Sequence, residues 1–286
     1  LREGRILMEK LFENGTLTLK EAGVQKLAEE KEANSGKPVI KLKNLYFRYA
    51  KNADDVLRGL NLEIEEGKLH CLLGGNGSGK STTLKAICEI IKPQSGKVKI
   101  TDNCRAAMVP QNPQALFTEI SCEEEVLEGM CYQKLEIEEK VQRTEEMLKL
   151  MEIEHLRKAN PYDLSGGEQQ RLALAKVMVS NPDILLLDEP TKGLDPFFKQ
   201  TLGRILRSLC KENKTIFMVS HDIEFCAEFG DRCSMFFDGE IATSGSAKEF
   251  FSGNNFYTTV ENKLTRKWCE GIITGEEART WIRSLL

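Results

Sequence analysis

No stretch of this sequence approaches the about 20 consecutive apolar residues that carry a helix across a bilayer. Positive charge is not in excess either: 40 Lys and Arg stand against 44 Asp and Glu, a net charge of −4. That balance excludes a global basic field drawing the chain to nucleic acid or anionic lipid. Nine cysteines are present, yet no two are spaced as Cys-x-x-Cys. Falling inside expected strands and helices, with Cys71 and Cys88 flanking a glycine-rich loop, they fit reduced buried thiols better than a disulfide frame or a zinc site. His70 and His155 have no motif around them and read as structural.

What is present is that loop. Gly74-Gly75-Asn76-Gly77-Ser78-Gly79-Lys80-Ser81 fits G-x-x-x-x-G-K-[ST], after an apolar run at Leu69–Leu73. From Thr82 to Ile91 a helical period follows, with Leu84, Ile87, Cys88 and Ile91 on one face. Glycines let backbone N–H groups turn inward around phosphate oxygens, and the helix N-terminus adds partial positive charge. Lys80 then reaches the β- and γ-phosphates, and the Ser81 hydroxyl sits on Mg²⁺, with Thr82 next along the helix. The sequence predicts nucleoside triphosphate binding here.

The 286 residues can hold one large or two modest domains. Residues 1–37 are polar and mixed in charge, with a Thr18–Glu21 capping box and a linker running into Pro38. Strands are expected at Val39–Leu42, Leu45–Tyr49, Val56–Leu57 and Leu60–Ile64, then at Lys97–Ile100 and Ala106–Val109. Residues 112–180 carry helical periods. Ser121 with Glu124 makes a capping box; Ile137, Val141, Leu148 and Met151 share one face, and Leu172, Ala175 and Val179 another. Strand and helix then alternate: Ile184–Asp188, a helix opened by Asp195-Pro196, Thr215–Val219, and a helix over Asp222–Gly230. A hairpin turns at Asp238-Gly239, and Ser246 with Glu249 caps a further short helix. This order predicts an α/β fold with a mostly parallel sheet covered by helices.

Two further stretches carry chemistry. Ile184–Leu187 is an apolar strand that ends in Asp188 and Glu189. Asp188 stands where a P-loop enzyme places its Mg²⁺-side acid, and Glu189 can polarise a water in line with the γ-phosphate. Leu164-Ser165-Gly166-Gly167-Glu168-Gln169-Gln170-Arg171 opens a periodic helix with a hydroxyl and free backbone N–H groups, a second anion site. An ordinary Ser-capped helix is the plainer alternative. Two separate anion sites in one chain imply that two chains share each nucleotide.

Together, from about Val39 to about Phe251, these stretches resemble the nucleotide-binding subunit of ATP-binding-cassette (ABC) transporters. The resemblance implies a P-loop (RecA-like) α/β core with a small antiparallel β-subdomain and a helical subdomain at about 112–170. It implies an ATPase using ATP and Mg²⁺, with Ser165, Gly166 and Gly167 contacting the γ-phosphate held by the opposing subunit. Gln111 then matches the Q-loop glutamine that touches Mg²⁺, and Asp195 closes a D-loop that departs from the commoner Ser-Ala-Leu-Asp. His221 matches the switch histidine, or else is a capping residue before Asp222. Tyr49 matches the aromatic that stacks on adenine, with Phe47 and Tyr46 close enough in register to take that place.

Gln111-Asn112-Pro113 with Leu116-Phe117, and the tail Phe251–Thr259, are similar to the ATPases of energy-coupling-factor importers of vitamins, Co²⁺ or Ni²⁺. That likeness implies a second ATPase module in a head-to-tail dimer, an integral membrane coupling or permease subunit, no nucleic-acid partner, and a peripheral place on the cytoplasmic face of the membrane. A soluble ABC ATPase acting on ribosomes or DNA is the alternative. The two ends also match each other: Gly15–Thr18 with Glu21-Ala22 corresponds to Gly271–Thr274 with Glu277-Ala278, at an offset of 271 − 15 = 256. Residues 1–37 are thus expected to be the tail of a preceding module plus a linker, 38–251 the ATP-binding domain, and 252–286 a C-terminal extension.

Overall fold

Strands that are apolar at every position must be covered on both faces, and three such strands occupy the centre of this molecule. A computed structural model describes residues 36–253 and 257–285, with 6, 9 and 10; the Thr18–Glu21 box lies outside the described residues. In chain order the elements are β1 (Pro38–Phe47), β2 (Leu57–Glu65), β3 (Leu69–Gly74), α1 (Lys80–Ile87), β4 (Ser95–Ile100), β5 (Ala106–Val109), α2 (Cys122–Glu128), α3 (Ile137–Leu150) and α4 (Gly166–Met178). The second half follows with β6 (Ile184–Asp188), α5 (Pro196–Lys211), β7 (Thr215–Val219), α6 (Ile223–Phe229), β8 (Arg232–Phe237), β9 (Glu240–Ser246), α7 (Ala247–Gly253), α8 (Val260–Thr265) and α9 (Gly275–Leu285).

The main sheet has the order β5-β6-β7-β3-β8-β9, parallel throughout except for the final β8-β9 hairpin. A second, antiparallel sheet of order β2-β1-β4 lies against one face of it. Strand alternation divides the interior in two. Leu185 and Leu187 of β6, with Ile216 and Met218 of β7, meet Leu172, Phe198 and Leu202 of the helices. Ile184, Leu186, Phe217 and Val219 face the other way, onto Ile40, Leu42, Leu60 and Ile64 of the antiparallel sheet. The fold is therefore mixed α/β, parallel at its centre, as the alternation of elements predicts.

Between β5 and β6 the chain is helical. Lys176 of α4, buried, donates to Glu125 and Glu128 of α2 and to the Leu116 carbonyl, while Glu125 accepts the amides of Thr118 and Glu119. This buried pair is fully hydrogen-bonded, the condition under which an interior charge is tolerated.

Several expected elements differ in detail. Val39–Leu42 and Leu45–Tyr49 are one strand ending at Phe47, its register shifted where Asn44 takes φ +49. The helix expected over Thr82–Ile91 ends at Ile87, because Glu89 adopts φ +57. On α3 only the end of the expected face is covered: Leu148 and Met151 are buried, but Ile137 and Val141 are exposed. All nine thiols are free, as expected; Cys71, Cys122, Cys226 and Cys233 are buried, whereas Cys131 is exposed.

His70, on β3, is 1% exposed; its Nε2 lies 2.7 Å from Ser234 Oγ and its ring stands edge-on to Phe217. Burial, with Arg232 nearby, pushes its pKa from 6.5 down to about 3. The folded state thus keeps His70 neutral where the unfolded chain takes a proton, so stability falls as pH drops from 6.5 towards 3. At pH 5 the loss from this group is about 2 kcal/mol. Urea unfolding at pH 7 and pH 5 measures it, and His70→Gln should remove that part of the difference.

Candidate nucleotide site

Parallel pairing of β3, β7 and β6 brings their C-terminal ends to one edge, and the sequence-predicted chemistry collects there. β3 ends in Gly74, and α1 begins at Lys80 five residues beyond Gly75. A Cβ at Gly74 would stand 2.5 Å from the Phe236 carbonyl, and one at Gly79 (φ +119) 2.9 Å from that of Val56. Those two glycines permit close packing of the loop. At Gly75 and Gly77 a Cβ would meet nothing within 4 Å. They leave a cradle open, with Gly75, Asn76 and Gly77 exposed and the buried Ser78 Oγ lacking a protein partner. Open space lined by backbone amides and an unpaired hydroxyl fits phosphate oxygens.

Lys80 lies back across the loop, its Nζ donating to the Gly74 carbonyl at 3.0 Å and the Gly75 carbonyl at 2.8 Å. Burial lowers its pKa, opposed by Glu189 and Asp188. Ser81 Oγ donates to Asp188 Oδ1 at 3.0 Å, joining the helix start to the end of β6. Burial raises the Asp188 pKa, with the Ser81 hydrogen bond opposing. A hydroxyl and a carboxylate held together in this way are the oxygen donors a hard cation such as Mg²⁺ takes, and its charge would offset the burial of Asp188.

Glu189 follows Asp188 in the left-handed region, at φ +54, held by its N–H donating to the Val219 carbonyl at 2.9 Å. A non-glycine residue in that region is strained, and such strain clusters at functional sites. The turn aims the carboxylate at His221, whose Nδ1 lies 2.7 Å from Glu189 Oε2 and whose backbone N–H donates to the same oxygen at 3.2 Å. His221 is not a cap: Asp222 is the N-cap of α6, accepting from the Phe225 amide.

Of the three aromatics in register, Phe47 is buried and Tyr46 covers Gly59. Tyr49 is exposed beside α1, its hydroxyl 3.0 Å from Thr82 Oγ1 and its ring edge-on to Phe47. Gln111 is exposed just after β5, at the same sheet edge as Asp188.

The second anion stretch stands apart. Ser165 caps α4 in a reciprocal box, its Oγ accepting the Glu168 amide and its own N–H donating to Glu168 Oε2 at 2.8 Å. Gly166 is open, and Gly167 rests on the Gly193 carbonyl, which a Cβ would approach to 2.8 Å. Asp195 is the N-cap of α5, its Oδ1 accepting from Phe197 and Phe198. No hydrogen bond or ion pair among the described residues joins Ser165–Gly167 or Asp195 to the loop Gly74–Ser81. Arg171 closes the stretch read as the second anion site but was given no role of its own there, yet it binds Asp195 Oδ2 at 2.7 Å. Its place six residues after the capping Ser165 was the available signal.

The ABC transporter family profile matches residues 57–192. A Bacillus cereus protein described as an ABC transporter ATP-binding protein is 40% identical over 250 residues, 84% of this chain and 45% of that protein. The chain spans about half the length of the first such relatives. The energy-coupling factor transporter ATP-binding protein EcfA of Methanocaldococcus jannaschii is 33% identical over 75% of this chain and 81% of its own. Among solved structures, cbiO1 of Clostridium perfringens, part of the ABC transporter complex cbiONQ, is 31% identical with a TM-score of 0.67, covering 81% of this chain and 96% of that one. The dimeric ATP-binding cassette MJ0796 bound to ADP and Pi is also 31% identical, with a TM-score of 0.66 over 73% of this chain and 98% of that one. Identity of this extent, over most of a protein that is itself one such subunit, settles the ancestry: the chain belongs to the ABC transporter family, as an ATP-binding cassette of the ATPase class.

Proposed function

We propose that this chain binds ATP with Mg²⁺, hydrolyses it, and energises a membrane importer of the energy-coupling-factor type. The observation that carries the reading is convergence at one sheet edge: the open glycine loop, the Ser81–Asp188 contact and the Glu189–His221 pair. Loop amides of Gly75–Gly79 receive the phosphates, and Lys80 Nζ exchanges its two carbonyl partners for phosphate oxygens. Ser81, Asp188 and Gln111 would hold Mg²⁺, which neutralises phosphate charge as a Lewis acid. Glu189 takes a proton from the attacking water on its free oxygen, while His221 fixes the other. Tyr49 offers an exposed ring face to adenine.

A second module completes each site, head to tail, so that Ser165, Gly166, Gly167 and Asp195 of one face Lys80 and Ser81 of the other. The 256-residue offset between the chain's ends, and relatives about twice its length, support a fused partner. On this reading residues 1–37 end a preceding module, 38–251 form the cassette with a helical subdomain at about 112–170, and 252–286 are its extension. Among the described residues no helix is long and apolar enough to cross a membrane; on the importer reading a separate permease subunit carries the substrate, a transition-metal ion or a vitamin. The chain then sits peripherally on the cytoplasmic face.

Gly75→Val should leave the melting temperature unchanged, since its side chain meets open space, but weaken ATP binding at least about 100-fold by filling the cradle. A fluorescent ATP analogue reads the affinity and calorimetry the fold. Glu189→Gln should keep ATP binding and lower turnover about 1000-fold; near-normal phosphate release would remove Glu189 from the base role. Affinity purification of the full-length protein from detergent-solubilised membranes should recover an integral coupling subunit, and peptide mapping should find two P-loops in one polypeptide. Recovery of ribosomal or DNA-bound proteins alone would overturn the importer reading.

A further inference from the structure

Arg171 lies on α4 four residues after Gly167, so the two share one helix face. That face meets the loop before α5 at two points. Gly167 packs on the Gly193 carbonyl so closely that a Cβ would come within 2.8 Å, and Gly193 holds φ +77 to present it. Arg171 Nη2 donates to Asp195 Oδ2 at 2.7 Å, and Nη1 to Glu152 Oε2, beyond the end of α3, at 3.2 Å. The guanidinium sits over the Phe198 ring, its central carbon 3.7 Å from the ring centroid. The Arg171 side chain is 15% exposed, whereas Asp195 and Glu152 are 52% and 43% exposed, so burial strengthens the stacking on Phe198 more than the two hydrogen bonds.

Asp195 divides its two oxygens between different tasks. Oδ1 accepts both first-turn amides of α5, and Oδ2 belongs to Arg171. The cap alone therefore seats the helix, while Arg171 fixes the tilt of the carboxylate and, with Gly167 against Gly193, the path of the loop. We propose that Arg171 is a positioning residue that locks the Gly193-Leu194-Asp195 loop to the first turn of α4, so that both reach the partner module as one rigid surface. This inference rests on the ATPase reading above for its kinetic consequence, but not for its structural one.

The test uses the full-length protein, with Arg171→Met and Arg171→Lys, each alone and with Asp195→Asn. Arg171→Met should lower kcat about tenfold with KM changed less than about twofold, because substrate binding by the glycine loop is untouched. Arg171→Lys keeps an ion pair without the guanidinium over the Phe198 ring and should recover part of the loss. In the Asp195→Asn background the same Arg171→Met change should cost about twofold or less, as expected of two residues acting through one contact. Hydrogen exchange on the same samples should quicken at residues 192–195 in Arg171→Met and stay as in the parent over the middle of α5. A tenfold loss that persists with Asp195→Asn, or a kcat within twofold of the parent, overturns the proposal. So does unchanged exchange at 192–195, whether or not the parent protein hydrolyses ATP. An inactive parent protein with the exchange change intact would sink the ATPase reading and leave the lock standing.

Discussion

Everything chemical in this molecule hangs on the hydrogen bond from Ser81 Oγ to Asp188 Oδ1, which joins residues 107 positions apart in the chain. It exists because β3 and β6 are both parallel to β7 and end at the same level, so the start of α1 and the end of β6 fall within one hydrogen-bond length. The helices and the antiparallel sheet serve that pairing by covering the two apolar faces of strands that have no polar side to give to water. The helical stretch between β5 and β6 extends the plan, carrying Ser165–Gly167 away from the edge where Lys80 lies.

Sequence showed most plainly what is local. The glycine loop needs only neighbouring residues to state its conformation, and Ile184–Asp188 and Thr215–Val219 have the bounds their apolar runs imply. The capping residues Ser121, Ser165, Asp195 and Ser246 all start helices where expected, since a cap is a contact between residues two or three apart. Element ends were less legible. Glu89 turns to positive φ as a residue type that rarely does, so nothing local announced that helix stop, whereas Asn44 is of a type that tolerates the left-handed region and gave a faint sign of the strand shift.

Periodicity shows that a helix has an apolar face but not what lies against it. The α3 face reads evenly from Ile137 to Met151, yet the described fold covers only its last turn. Contacts at long separation were the least visible. Tyr49 on Thr82, His221 on Glu189 and Arg171 on Asp195 each depend on where the sheet places two distant segments. The motifs placed these residues in the right neighbourhood, and only the coordinates supplied their partners.

Lys80 is satisfied before any ligand arrives, because the loop's own Gly74 and Gly75 carbonyls receive its ammonium group. An incoming anion must therefore outcompete two formed hydrogen bonds rather than fill a need. A single small anion offers one cluster of oxygens for that exchange, whereas on the proposed reading a chain of phosphates would also engage the loop amides and Ser81 at the same time. On the proposed reading, the folded-back lysine would act as a threshold, set by the loop against itself, that discounts solitary anions in favour of ligands long enough to make every contact at once.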